Sequence, residues 1–208
     1  MIIAAFGNVY GHSENLDKIL RAIEDEGIMT VIHTGNLVVG HPKNQEVIHC
    51  IQGRELTGVQ GIQERNLVKF IRKRSTLEKK MKRDEFDVLE SAFDECSSEE
   101  LEYLHRLPSV TTIKVDGVEV TIGYGSLSSH KDDLTEDDAL NRFERLREMT
   151  SARIVVLGGS SDGYIKEVHK TLIVHPGNVC GNAEGMGEYA IINTEDEEWH
   201  AEIRTVPL

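Results

Sequence analysis

Five polar or glycine-rich loops carry most of the side chains in this sequence that could bind a ligand or take part in catalysis. The loops span residues 7–12, 35–36, 61–64, 123–126 and 158–162. Each follows an apolar run that predicts a strand, and ligands of α/β proteins bind at the carboxyl ends of strands. We therefore expect these loops to meet in one cleft.

The side chains of these loops are mostly neutral hydrogen-bond donors and acceptors. Exposed backbone N–H groups of glycine-rich loops can in addition bind an anion. The sequence thus predicts a cleft that binds a small or phosphorylated ligand. The predicted lining consists of Asn8, Tyr10, His12, Asn36, Gln63, Tyr124, Ser160, Ser161 and Asn178.

The elements that position the first loops alternate between strand and helix. Residues 2–6 predict a strand buried on both faces, and Ser13 can cap a helix that ends at Gly27. A strand at residues 29–33, a helix near residues 44–52 and a short strand around residues 56–60 follow. This alternation is typical of βαβ units.

Residues 64 to about 107 are helical by composition and form a predicted insertion. The part up to residue 83 is basic, and the part from residue 84 to residue 102 is acidic. Ser97 and Glu100 match a capping box. For the division of charge, a solvated face with ion pairs is favoured over an anion-binding site.

The second half of the chain is predicted to be rich in strands. Asp116-Gly117 predicts a hairpin turn, and Thr135 with Asp138 predicts a helix cap. Further strands, expected in a second sheet, lie at residues 153–157, 165–168, 171–174, 189–193 and 199–206. The predicted fold is α/β, a four-layer αββα sandwich of two mixed sheets flanked by helices, in a single domain over residues 1–208.

The composition limits the expected partners and location. The chain has 208 residues with 36 acidic and 23 basic side chains, so its net charge is −13. This charge disfavours nucleic acid and anionic membranes as partners. No C-x-x-C pair occurs, and no apolar run approaches the roughly 20 residues of a membrane span. We expect a cytoplasmic protein with no nucleic-acid or membrane partner, while a homo-oligomer or a protein partner stays open.

The loops resemble those of the calcineurin-like metallophosphoesterase family, in particular its small bacterial and archaeal phosphodiesterases. The family pattern runs Asp-x-His-Gly-Asn, Gly-Asp, Gly-Asn-His-Asp, His-Gly and Gly-His-x-His, and the loops follow in that order. Residues 171–179 are also similar to the family's strand ending in Asn-Pro-Gly-Ser. The resemblance covers nearly the whole chain and implies the family's two-sheet fold.

The resemblance also implies which positions would hold the family's metal ligands and its catalytic histidine. None of these positions keeps a matching residue. In chain order they hold Asn8, Tyr10, Asn36, Ile62, Gln63, Tyr124, Gly159 and Ser161. Asn8 and Asn36 stand where the family has aspartates, and Gln63 stands where it has the histidine that acts as general acid.

These replacements change the chemistry expected of the cleft. Two divalent ions about 4 Å apart need several anionic or imidazole ligands to offset their mutual repulsion. Neutral amide and hydroxyl groups do not supply them. We therefore expect no catalytic residue, no metal and no other cofactor. The favoured function is that of a catalytically inactive phosphoesterase-fold protein, acting as a binding or regulatory module.

Two other functions stay open. A hydrolase with an atypical mononuclear site could hold one Mn, Zn or Fe ion, because three protein ligands suffice for a catalytic zinc. The candidate ligands are His12, Glu64, Asp162 and His175, although hydrogen-bonding or solvated rim residues are the favoured interpretation of this set. The remaining possibility is a structural or assembly role, in which an outer surface binds a partner.

Overall fold

The computed structural model describes residues 1–194 and 199–208 of the chain. Its strands are β1 (Ile2–Phe6), β2 (Thr30–His33), β3 (Thr57–Gly58), β4 (Val110–Val115), β5 (Val118–Tyr124), β6 (Ile154–Gly158), β7 (Tyr164–Val168), β8 (Thr171–His175), β9 (Met186–Asn193) and β10 (His200–Pro207). Its helices are α1 (Ser13–Asp25), α2 (Asn44–Gly53), α3 (Ile62–Lys80), α4 (Arg83–Glu95), α5 (Ser98–Arg106) and α6 (Leu140–Glu148).

Two five-stranded mixed sheets form the centre of the molecule. The strand order is β10-β9-β1-β2-β3 in the first sheet and β4-β5-β6-β8-β7 in the second. The strands β1, β2 and β3 run parallel, as do β5, β6 and β8, while the other strands pair antiparallel. This arrangement confirms the predicted αββα sandwich.

The strand β1 shows how the sequence separates the layers. Ile3 and Ala5 contribute to the core between the two sheets, whereas Ala4 and Phe6 contribute to the core beneath the helices. All four side chains are fully buried. Because alternate residues of a strand face opposite sides, burial on both faces requires the continuous apolar run seen in the sequence. The strand β6 alternates in the same way between the inter-sheet core and the core beneath α6.

The prediction that the last two strands belong to the second sheet is wrong. β9 pairs antiparallel with β1, with Ala190 opposite Ala5, and β10 pairs with β9. An apolar run late in the chain does not reveal its partner, because antiparallel pairing places no limit on sequence separation. β9 therefore supports the strand that carries the first loop of the site.

The predicted helical insertion consists of the three helices α3, α4 and α5. Ser97 Oγ accepts a hydrogen bond from the N–H of Glu100, and Glu100 Oε2 accepts one from the N–H of Ser97 at 2.7 Å. These two bonds confirm the predicted capping box, which satisfies backbone N–H groups at the start of α5.

Two other predicted helix starts differ from the structure. His12 is the N-cap of α1, because Ser13 is already helical and its Oγ donates to Glu46 at 2.6 Å. Thr135 and Asp138 do hydrogen bond with each other, but α6 begins only after this turn. Both differences arise because a cap pattern in sequence allows more than one helix register.

Candidate functional site

The side chain of Asn36, directly after β2, lies at the centre of a buried polar network. Its Nδ2 lies 3.0 Å from Asn8 Oδ1. The same nitrogen lies 2.9 Å from the hydroxyl of Tyr10 and 2.8 Å from the hydroxyl of Tyr124. An amide nitrogen carries two hydrogens, so it serves two of these three oxygens at a time. Asn36 Oδ1 accepts from the backbone N–H of Gln63 at 3.2 Å.

Asn8, directly after β1, extends this network to the loops of the second sheet. Its Nδ2 donates to the carbonyl oxygen of Ser160 and to Asn178 Oδ1, both at 2.7 Å. Asn178 Nδ2 in turn donates to the carbonyl oxygen of Ser161 at 2.5 Å. The network thus joins every predicted cleft residue except His12, whose ring instead contacts the ring of His41 with centroids 4.6 Å apart.

The backbone around the two asparagines is left-handed. Asn8 has φ 54°, Tyr10 has φ 49° and Asn36 has φ 53°. Asparagine tolerates this conformation better than most residues, but tyrosine does not. The cluster of such residues at one place shows that the surrounding contacts hold these loops in shape.

Glu64, in the first turn of α3, is fully buried and accepts four backbone hydrogen bonds. Oε1 accepts from Leu37 at 2.7 Å and from Val38 at 3.2 Å. Oε2 accepts from Asn36 at 3.0 Å and from Gly61 at 2.7 Å. Burial raises the pKa of Glu64, and the four N–H donors act in the opposite direction. Because these donors occupy both oxygens, the carboxyl group holds the loop after β2 in place.

His175, at the end of β8, is buried in a similar way. Its Nε2 lies 2.9 Å from the N–H nitrogen of Ser160, and its Nδ1 lies 3.2 Å from that of Gly177. Its ring stacks on Tyr164 with centroids 5.6 Å apart. Burial lowers the pKa of His175 to about 3, so the ring is neutral. A neutral imidazole has one nitrogen lone pair, and one of these two backbone N–H groups occupies it, so the lone pair is not directed towards the cleft.

The sequence of residues 1–197 matches the calcineurin-like phosphoesterase superfamily domain. The chain belongs to this superfamily. No curated protein matches the chain in sequence.

Several solved structures share the fold of this chain at low sequence identity. A hypothetical protein of Pyrococcus horikoshii OT3 superposes with a TM-score of 0.86 at 19% identity, covering 99% of this chain and 88% of that one. A novel archaeal phosphodiesterase gives a TM-score of 0.58 at 18% identity, covering 98% and 100%. Vacuolar protein sorting 29 of Cryptosporidium parvum gives 0.56 at 14% identity, covering 100% and 98%.

The donor set of the cleft does not fit the metal pair of the superfamily. Burial, together with smaller effects of the nearby Cys180, Glu64 and Asp133, raises the pKa of Tyr10 to about 12. Burial also raises the pKa of Tyr124, with Tyr10 as the next cause. Both phenols are therefore neutral, and a neutral phenol is a poor ligand for a divalent ion.

The four residues of the predicted atypical ligand set do not form a common site. Glu64 and His175 are engaged by backbone N–H groups, His12 packs on His41, and the exposed Asp162 accepts from Ser161 Oγ at 3.1 Å. Within residues 1–194 and 199–208, no group of three or more His, Cys, Asp or Glu side chains is arranged to hold a metal ion.

The same part of the chain contains no helix with the length and apolar character of a membrane span.

Four residues near the network were not singled out from the sequence. Cys180 and Asp133 lie close enough to raise the pKa of Tyr10. His130 stacks on Tyr124 with ring centroids 5.6 Å apart, and Arg65 Nη1 lies 2.8 Å from His130 Nδ1. Asp133 and His130 belong to the long connection between β5 and α6, which carries no motif that could have indicated them.

Proposed function

We propose that this protein binds a ligand without hydrolysing it, as a calcineurin-like phosphoesterase fold that acts as a binding or regulatory module. The observation that carries this proposal is the amide of Asn36, which stands where the family has the aspartate that bridges both metals. Its nitrogen contacts Asn8, Tyr10 and Tyr124, so protein groups take the contacts that metal ions would otherwise make. A buried polar network of this kind is stable without a metal because its members satisfy one another.

The ligand would bind at the rim of this network rather than at its centre. Asn8 and Asn36 are 2% and 0% exposed, whereas Tyr10 and Asn178 are half-buried and Ser161 is exposed. The rim offers hydroxyl, amide and backbone N–H groups, and its described members Tyr10, Ser161 and Asn178 carry no positive charge. A small neutral or phosphorylated molecule suits such a surface.

Metal content is the first test of this proposal. Protein purified without chelator, and the same protein after incubation with Mn²⁺, should both contain far less than one ion per chain by mass spectrometry. An assay with bis(p-nitrophenyl) phosphate should show no hydrolysis above buffer. One or two retained ions per chain, with hydrolysis that a chelator abolishes, would instead establish a working hydrolase with an atypical site.

A titration with inorganic phosphate tests the ligand class. The variant Asn8→Asp/Asn36→Asp introduces two carboxyl groups near the rim, so phosphate affinity should fall at least about tenfold through like-charge repulsion. Asn141→Asp is the matched control, because Asn141 is exposed on α6. Equal affinity for phosphate in all three proteins would contradict anion binding in the cleft.

A role in protein assembly is the second candidate. It is supported by the fold likeness to a vacuolar protein sorting protein and by an exposed apolar side chain, Met29, of which 92% is accessible. Self-association would be seen by sedimentation as a mass above that of one chain, which Met29→Glu should reduce. A single-chain mass at all concentrations would contradict self-association.

A further inference from the structure

A pocket lies between α3 and α5, separate from the buried polar network around Asn8 and Asn36, which is called the asparagine network below. It encloses about 750 Å³. The α3 side presents Arg65, Lys69 and Arg72, and the opposite side presents Phe93 and Leu101. The pocket is large enough for a drug-sized or nucleotide-sized molecule.

The three cations on α3 have no acidic partners among the residues that the structure describes. Further along the same helical region, Arg74 pairs with Glu90, and Arg83 pairs with Asp87 at 2.9 Å. In contrast, Arg65, Lys69 and Arg72 form no ion pair with any carboxylate in the described part of the chain. The other cations of the helical insertion named above are paired, and Arg106 at the edge of the pocket is paired with Glu102, whereas the three cations on α3 are not.

The spacing of the three cations places them along one face of α3. Positions 65, 69 and 72 are separated by four and three residues, so the side chains project in similar directions. The helix rises about 1.5 Å per residue, which spreads the three charges over roughly 10 Å. Burial lowers the pKa of Lys69, and Arg65, Lys73 and Lys131 lower it further. Unpaired like charges at this spacing repel one another and destabilise the folded state. The cluster is also a local excess of positive charge in a protein whose net charge is −13.

One part of the remaining wall is apolar, beside the polar side chains of Gln60, Ser98, His105 and Ser109. Val68, Phe93, Leu101 and Leu107 are half-buried, and the ring of Phe93 lies 4.9 Å from the ring of Phe70. The carboxylate at the pocket, that of Glu102, is bonded to Arg106 Nε at 3.0 Å. An anionic group alone would leave the apolar wall unused, whereas an organic phosphate with an aromatic body fits both sides.

The pocket touches the asparagine network through one histidine. The carbonyl oxygen of Gln60 can only accept, and it lies 2.8 Å from His130 Nε2, so Nε2 carries the proton. His130 Nδ1 then accepts from Arg65 at 2.8 Å, while the ring stacks on Tyr124. A phosphate that draws Arg65 away from His130 would therefore release one contact of the ring that stacks on Tyr124.

We infer that the pocket between α3 and α5 binds an organic phosphate of the nucleotide type. Arg65, Lys69 and Arg72 hold the phosphate groups, and Phe93 with Leu101 contacts the aromatic body. This site is distinct from the cleft of the proposed function and does not depend on it.

Calorimetric titration with ATP in the absence of divalent ions tests this inference on the full chain. Lys69→Gln/Arg72→Gln should weaken ATP binding at least about tenfold, because two phosphate contacts lose their charge. The matched control is Lys79→Gln/Lys80→Gln, which removes two exposed charges from the far end of the same helix and should change the affinity less than about twofold. Pyrophosphate should bind more weakly than ATP, since it lacks the aromatic body.

Several results would overturn the inference. Absence of ATP binding to the wild-type protein, or equal losses in the pocket variant and its control, would mean that no specific site exists. Pyrophosphate binding as tightly as ATP would show that the apolar wall is not used. A loss of ATP affinity in Asn8→Asp/Asn36→Asp as large as that in the pocket variant would place ATP in the cleft. A control in which an acidic peptide displaces ATP with higher affinity would reassign the pocket to a protein partner.

Discussion

Asn36 Nδ2 donates to Asn8 Oδ1 over 3.0 Å, and this bond joins the loops that follow two neighbouring parallel strands. Both side chains are almost completely buried. An aspartate at position 36 would place a carboxylate oxygen, in place of an N–H donor, against Asn8 Oδ1. An aspartate at position 8 would do the same against the carbonyl oxygen of Ser160. The asparagine pair therefore suits a cleft without metal, and an aspartate pair would suit a cleft with metal.

Asn36→Asp should destabilise the protein by roughly 2–4 kcal/mol at neutral pH, because the new carboxylate is buried without a cation. Its pKa in the folded state should lie above the value of about 3.9 expected in the unfolded chain. The folded state then binds more protons in that window, so the lost stability should return as pH falls. Urea unfolding at several pH values measures this, with Asn141→Asp as the exposed control.

A variant Asn36→Asp as stable as the wild type at pH 7 would contradict this account of the network. So would a loss of stability that stays the same between pH 7 and pH 4. The first result would mean that water or an ion solvates the cleft well. The second would mean that geometry, rather than charge, makes the substitution costly.

Glu64→Gln should cost about 2–4 kcal/mol although the two side chains have almost the same shape. The carboxylate accepts from Leu37, Val38, Asn36 and Gly61, and an amide would turn one oxygen into a donor that faces N–H groups. Unfolding in urea measures the loss, and Glu99→Gln on the exposed start of α5 serves as control. Equal stability of both variants would show that the loop after β2 does not depend on Glu64.

Much of the fold could be predicted from the sequence because local patterns determine it. The apolar run of β1, the Asp116-Gly117 turn and the Ser97–Glu100 capping box each carry their own physical cause. The place of β9 beside β1 could not be predicted in this way. The partner of β9 depends on which sheet has a free edge once the other strands have paired, and no local sequence pattern indicates which edge that is.

The candidate site likewise contains residues that the sequence predicts and contacts that it does not predict. The positions of Asn8 and Asn36 followed from the loop motifs, and the structure places them in direct contact. The contacts of Asp133 and His130 could not be predicted, because they come from the long connection between β5 and α6. The role of Glu64 was also hidden, since a glutamate in a first helical turn is typical of a solvated cap, and here it is fully buried.

His33 should make the protein sensitive to mild acid. The side chain is fully buried, and burial lowers its pKa to about 4. Neither ring nitrogen has a hydrogen-bond partner within residues 1–194 and 199–208. The unfolded chain has a histidine pKa of about 6.5, so between these values the unfolded state binds one more proton. Stability should therefore decrease as pH falls, by up to about 1.4 kcal/mol per pH unit for each such histidine.

The variant His33→Leu tests this directly. It removes the titrating group while keeping an apolar side chain in the core, so the slope of stability against pH between 6.5 and 4 should become smaller. His175 should contribute part of the remaining slope, because burial lowers its pKa as well. His200→Gln, an exposed substitution on β10, is the control. An unchanged slope in His33→Leu would rule out His33 as a source of the acid sensitivity.

Gly159→Ala should cost roughly 1–3 kcal/mol, because Gly159 has φ 122°, a conformation that residues with a Cβ rarely adopt. A Cβ at this position would also lie 2.4 Å from Asp133 Oδ1. Adding Asp133→Ala should therefore recover only the steric part of the loss.

Gly53→Ala is the matched control: a Cβ there meets no atom within 4 Å, and alanine favours a helix more than glycine does. If both alanine variants unfold at the same urea concentration as the wild type, the backbone at Gly159 is not strained. If only Gly159→Ala is destabilised, the backbone conformation at position 159 would disfavour histidine as well. A single substitution could then not restore the histidine metal ligand that the family has at this position.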